Sequence, residues 1–179
     1  MTVAIRLWSD RVAEVLSICA GLGVKRWHTI ETLGTPQNNG HHSARALALL
    51  FSIHPNPSMN LVKAVLFHDT AERQVGDMPA TARRLFPRLA QEYEQAEEVF
   101  FNNHFMINGA FIELSADDFQ WLKAVDILEL LLFCDDQTML GNSHFAIIKE
   151  RAIGYMKSNA ETPLEALDFL NRYEPQSFA

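Results

Sequence analysis

The chain has 179 residues, 48% of them hydrophobic, and a formal charge of −7 from 15 basic and 22 acidic residues. That length is enough to bury one core and makes two domains a stretch, so a single domain over 1–179 is expected. The acidic balance argues against a surface that coats long nucleic acid, yet leaves room for a small basic pocket.

Cys19 and Cys134 lie in apolar helical patterns without a CxxC context, which reads as two reduced core thiols. The first residues include Arg6, Ser9, Asp10, Arg11 and Glu14 and lack a signal-peptide core, and no uncharged run reaches about 18 residues. A soluble, cytoplasmic protein with no membrane partner is expected.

In chain order, Ile5, Trp8, Val12, Val15, Leu16 and Cys19 recur at helical spacing over about 4 to 20, and Gly21 and Gly23 close that helix. Arg26-Trp27-His28 then leads into a polar loop through Gly34, Pro36, Asn38, Asn39 and Gly40. That cluster suits a ligand lip, or equally a Trp packed on the core beside an exposed Arg.

His42 to Ile53 reads as a helix ended by His54-Pro55-Asn56-Pro57, because the prolines forbid continuation. Ser58 or Asn60 can cap the next helix. Its apolar run, Leu61 to Glu72, carries His68-Asp69. At about 100° per residue, His68, Glu72 and Asp69 fall near 0°, roughly 40° and roughly 100°, so one face can present all three. Imidazole and carboxylate suit a borderline divalent cation and are poor filler on an apolar helix.

Gly76-Asp77-x-Pro79 forms a turn at the helix exit, followed by Arg83-Arg84. Residues 88 to 106 form an amphipathic stretch whose acidic face is assigned to solvent. Ser115 starts the following helix, which runs to about Leu140 before Gly141. Within it Asp126 interrupts an apolar run, with Leu122, Leu130, Phe119 and Phe133 on its own stripe, so something positive has to meet it. A helix over about 143 to 158 comes next. Thr162-Pro163-Leu164-Glu165 marks the last one, as N-cap, proline and acidic third position. No alternating β pattern occurs, and the fold is expected to be all-α.

Arg26-Trp27, His42-Ser43, His68-Asp69-x-x-Glu72, Gly76-Asp77-x-Pro79, Arg83 and Lys123-x-x-Asp126 stand in an order that resembles the HD-domain phosphohydrolase superfamily. That order is seen in bacterial 5′-deoxynucleotidases and small phage dATP triphosphohydrolases. Arg26-Trp27-His28-Thr29 looks more like the phage branch, because the bacterial enzymes more often have a proline after the Trp. The resemblance implies a helical bundle around a divalent metal (Zn, Co, Mn, Mg or Fe) held by His42, His68, Asp69 and Asp126, with extra ions possible beside a triphosphate. It also implies catalytic Glu72 and Asp77, substrate contacts from Arg26, Trp27, Arg83 and Lys123, and a homo-oligomer, either dimer or hexamer. The expected substrate is a deoxynucleotide: dATP cleaved to deoxynucleoside and triphosphate, or dNMP cleaved to deoxynucleoside and phosphate. The alternative from another class is a nucleotide-binding regulatory module without turnover.

One departure is plain. The family usually has Glu-His-Ser where this chain has His41-His42-Ser43. Alignment on Ser43 makes His42 the ligand and leaves His41 to take the place of the missing carboxylate.

Overall fold

The computed structural model describes residue 12, residues 15–104 and residues 112–173, with the side chains of 101–104 left aside. The first helical expectation therefore falls partly outside the described residues, at 4–11, 13 and 14, and so does the end of the 88–106 stretch. Residues 15–21 are helical and form α1. They are followed by α2 (Asn39–Ile53), α3 (Met59–Phe67), α4 (Glu72–Val75), α5 (Ala80–Leu85), α6 (Pro87–His104), α7 (Ala116–Met139), α8 (His144–Ser158) and α9 (Leu164–Tyr173). No strand occurs among the described residues; Lys25 and Asn38 make an isolated antiparallel bridge. The fold is all-α.

The helix ends follow local chemistry. Asn38 accepts from the His41 amide and starts α2, three residues ahead of the expected His42. Ser58 caps α3 through the Leu61 amide, and Ser115 caps α7 through the Asp118 amide. Gly76 and Gly141 sit at φ 79° and 98°, where a side chain would be strained, and close α4 and the α7 exit. Thr162 does not cap α9: its hydroxyl donates instead to the Met156 carbonyl at 3.0 Å.

The core lies along α7. Trp121, Ala124, Val125, Leu128 and Leu131 form its buried stripe, packed on Ala46 and Leu50 of α2, Leu61 and Val65 of α3, Met156 of α8 and Leu170 of α9. Each of those large side chains contributes about 1.5–3 kcal/mol on burial. Asp126 follows Val125 and so turns about 100° away from this stripe, toward α2 and α3. The stripe it shares is only half-buried: Phe119 is 43% exposed, and the Asp126 side chain is 42% exposed at the cleft mouth. The two cysteines part company, since Cys134 is buried but Cys19 is exposed, which corrects the expectation of two core thiols.

Candidate metal centre

The helix that opens with Ser58 ends earlier than the sequence suggests. α3 stops at Phe67, His68 is its C-cap, and a tight turn through Thr70 and Ala71 leads into α4 at Glu72. His68, Asp69 and Glu72 are thus presented by a helix end and a turn rather than by one continuous helical face. The Thr70 amide bonds to the Phe67 carbonyl at 3.0 Å, and the Glu72 amide to the Asp69 carbonyl at 3.2 Å. The turn is pressed against α1, where a Cβ on Gly21 would meet the Thr70 carbonyl oxygen at 2.6 Å.

From this turn, α2 and α7, four of the expected side chains converge. His42 Nε2 lies 3.4 Å from His68 Nε2, 3.0 Å from Asp126 Oδ1 and 3.7 Å from Asp69 Oδ2. His68 Nε2 lies 3.3 Å from Asp69 Oδ1 and 3.8 Å from Asp126 Oδ1. One ligand atom each from His42, His68 and Asp69 fall within 4.8 Å of one another, close enough to hold a metal ion. The donor set fits such an ion. Both imidazoles commit Nδ1 to the protein, His42 to Glu129 at 2.5 Å and His68 to the Val65 carbonyl at 3.1 Å, which leaves both Nε2 atoms facing the centre.

Arg26 pairs with the Asp69 carboxylate and brings a positive charge to the cluster. Burial works against that charge, but Asp69, Asp126, Glu72 and Glu129 outweigh it and raise the Arg26 pKa. Burial also opposes protonation of His42 and His68, and again the carboxylates win. Hydrogen bonds to Asp126 and Glu129 raise the pKa of His42, and Asp69 and Asp126 push His68 up to about 9. Asp126 shows the converse: desolvation favours its neutral form, yet hydrogen bonds from both histidines hold it well below the usual carboxylate range.

Glu72 stands beside the cluster. Burial, and then the charges of Asp69 and Asp77, push its pKa up to about 8 against a hydrogen bond from Asn39. Asp77 lies 3.5 Å from His28 Nδ1. Trp27 packs on the apolar interior, stacked on Phe133 at 5.2 Å and edge-on to Phe145 at 5.0 Å, while its Nε1 donates to Gln37 at 3.0 Å. Its φ of 63° makes it the one non-glycine residue with positive φ among the described residues. Trp27 thus packs on the core, as one of the two readings of the lip has it, whereas Arg26 beside it is not an exposed surface charge but is partly buried and paired with Asp69.

Two of the expected substrate contacts are not among the converging side chains. Arg83 pairs at 3.5 Å with Glu94 and 3.4 Å with Glu97. Glu97 feels the cluster: burial and then the Asp69 charge raise its pKa, against Arg83. Lys123 is exposed and lies 4.3 Å from the centre of the Phe119 ring. His41 is exposed as well and does not replace the missing carboxylate. Glu129, 1% exposed, makes that contact with His42 instead. Glu129, Asn39, Gln37 and Arg45 were not singled out from sequence. The available signal was Glu129 itself, a carboxylate inside the same apolar run as Asp126.

No protein-family model matches the chain. Over 172 residues it is 27% identical to a 5′-deoxynucleotidase of Photobacterium profundum, covering 84% of this chain and 86% of that protein. A 5′-deoxynucleotidase of Vibrio parahaemolyticus is also 27% identical, with 85% and 87% covered. Among solved structures, the PH0347 protein of Pyrococcus horikoshii superposes with a TM-score of 0.67 at 19% identity, covering 90% of this chain and 96% of that one. The cyanophage S-2L HD phosphohydrolase DatZ, bound to dA and one catalytic Zn2+ ion, superposes at 0.61 with 17% identity, covering 91% and 95%. Sequence relatives, fold and the order of the converging side chains agree, and together they support an HD-domain phosphohydrolase.

Proposed function

We propose that this protein is a metal-dependent deoxynucleotide phosphohydrolase that cleaves dATP to deoxyadenosine and tripolyphosphate. The observation that carries a hydrolytic reading is the convergence of His42, His68 and Asp69 within 4.8 Å, with Glu72 fixed beside them. A divalent ion held by those three and Asp126 supplies a more acidic water and charge for phosphate oxygens.

The chain's own groups do the rest. Glu72, half-buried and held beside the cluster by Asn39, takes the proton of the water that attacks the α-phosphorus. The bond from that phosphorus to the 5′-oxygen breaks, and Asp77 protonates the departing oxygen or holds the deoxyribose 3′-hydroxyl. Arg26, Arg83 and Lys123 neutralise phosphate charge. Trp27, fixed by Phe133, Phe145 and Gln37, packs against sugar or base, where crowding of a 2′-hydroxyl would select deoxyribose.

The Arg26-Trp27-His28-Thr29 sequence, which resembles the phage branch, favours the triphosphate reading, while likeness to the dA-bound phage phosphohydrolase fits both, since deoxyadenosine is the product of either cleavage. The curated relatives favour a second one, release of orthophosphate from dNMP. Incubation with Co2+ and either dATP or dAMP decides between them by the leaving group: tripolyphosphate supports the first, and orthophosphate from dAMP alone supports the second. Turnover of neither, with nucleotide still bound, identifies a binding module instead.

A further inference from the structure

His42 is wholly buried, and so is the carboxylate that touches it. Glu129 Oε2 lies 2.5 Å from His42 Nδ1, while its other oxygen, Oε1, accepts from Gln37 Nε2 at 2.8 Å and pairs with Arg45 Nε at 3.2 Å. The two oxygens are therefore divided: one serves Gln37 and Arg45, and the other is left to the imidazole. An ion pair with Arg45 would account for a buried carboxylate, but not for this second contact.

We infer that Glu129 is a positioning residue that keeps the proton of His42 on Nδ1, so that Nε2 presents its lone pair to the cation. A neutral imidazole carries one proton, and the acceptor at one nitrogen decides which nitrogen is free for a metal. Glu129 thereby performs from α7 the task for which the family's Glu-His-Ser pattern suggested a carboxylate beside the ligand. The chain can place exposed His41 there because the acceptor comes from across the bundle. The inference rests on the metal-centre reading above.

Glu129→Gln makes it testable. Gln37 and Arg45 both donate toward Oε1, so the amide oxygen of the variant settles there and its NH2 group faces His42. Nδ1 then becomes an acceptor, the proton moves to Nε2, and the metal-facing lone pair is lost with hardly any change in shape.

Co2+ titration followed by visible absorption, with thermal melts of the metal-free proteins, reads the result. The expected outcome is tight binding by the wild type and about 10–100-fold weaker binding by Glu129→Gln, with a metal-free variant that melts at a lower temperature but still in one cooperative transition. Equal affinities overturn the inference. If the variant fails to fold, 15N NMR of the Zn2+-loaded wild type decides: a proton on His42 Nδ1 supports the inference, and one on Nε2 overturns it. A wild type that binds no Co2+ removes the metal-centre reading itself, and the inference falls with it.

Discussion

Asn39 Nδ2 stands 2.8 Å from Glu72 Oε2 and 2.9 Å from the Asp69 carbonyl, so one amide ties the carboxylate to the turn that carries the metal-site aspartate. Glu72→Gln keeps an oxygen for that bond and removes the basicity. The expected result is a fall in kcat of about 10²–10⁴-fold, with metal content and melting temperature retained. A variant that keeps wild-type turnover would remove Glu72 from the chemistry.

Arg26 is the cation paired with the Asp69 carboxylate. Arg26→Gln should lower kcat/KM for the nucleotide about 10–100-fold, mainly through KM if the guanidinium holds phosphate in ground and transition state alike. Steady-state kinetics on dATP and dAMP test this, and an unchanged KM with unchanged kcat would exclude Arg26 from substrate binding.

Metal removal should destabilise the protein. An ion that binds only the folded chain contributes about 2.7 kcal/mol at a free concentration one hundred times its Kd, so chelation should lower Tm measurably. Cation and proton compete for His68 Nε2, whose pKa is about 9 without the ion. Metal binding must therefore release protons at neutral pH, and the added stability should shrink as pH falls below about 9. Melts with and without Co2+ across this range check the sign, and a stabilisation that grows toward acid would contradict the ligand set.

Gly21→Ala places a methyl group 2.6 Å from the Thr70 carbonyl, against backbone that cannot swing aside. Overpacking of this kind costs about 1–3 kcal/mol, and here the strain falls on the turn between His68 and Glu72. Denaturant unfolding should show the loss, accompanied by weaker metal binding. A neutral substitution would mean that α1 does not brace the turn.

The thiols should differ sharply in reactivity. Burial, then the Asp135 charge, pushes the Cys134 thiol up to about 12, whereas Cys19 is exposed. Maleimide should add once to the native protein, at Cys19, and twice after denaturation, as read by intact-mass spectrometry.

The converging side chains were legible because each is costly where it stands. His68-Asp69 and Asp126 interrupt apolar runs, and an ionised group there requires a partner. The same cost attaches to Glu129, but three residues after Asp126 it reads as one more carboxylate on a long helix. Only the approach of α2 shows which of its oxygens faces His42. Ser58 and Ser115 could be read as caps since capping is local, whereas the break after Phe67 could not: no Gly or Pro marks it, and the turn is fixed by packing against Gly21 and by Asn39. Cys19 was misjudged because helical spacing gives a face but not what covers it.

The left-handed backbone at Trp27 limits how this protein could be made sturdier. A bulky residue in that conformation gives up about 1–2 kcal/mol that glycine would recover. Substituting glycine there would recover only that strain. Yet it would erase the indole that rests on Phe133 and Phe145 and anchors Gln37, the neighbour of Glu129. Removing a packed aromatic costs about 3–5 kcal/mol in a core, more than the strain relieved, so heat resistance and the shape of the lip both depend on keeping the indole.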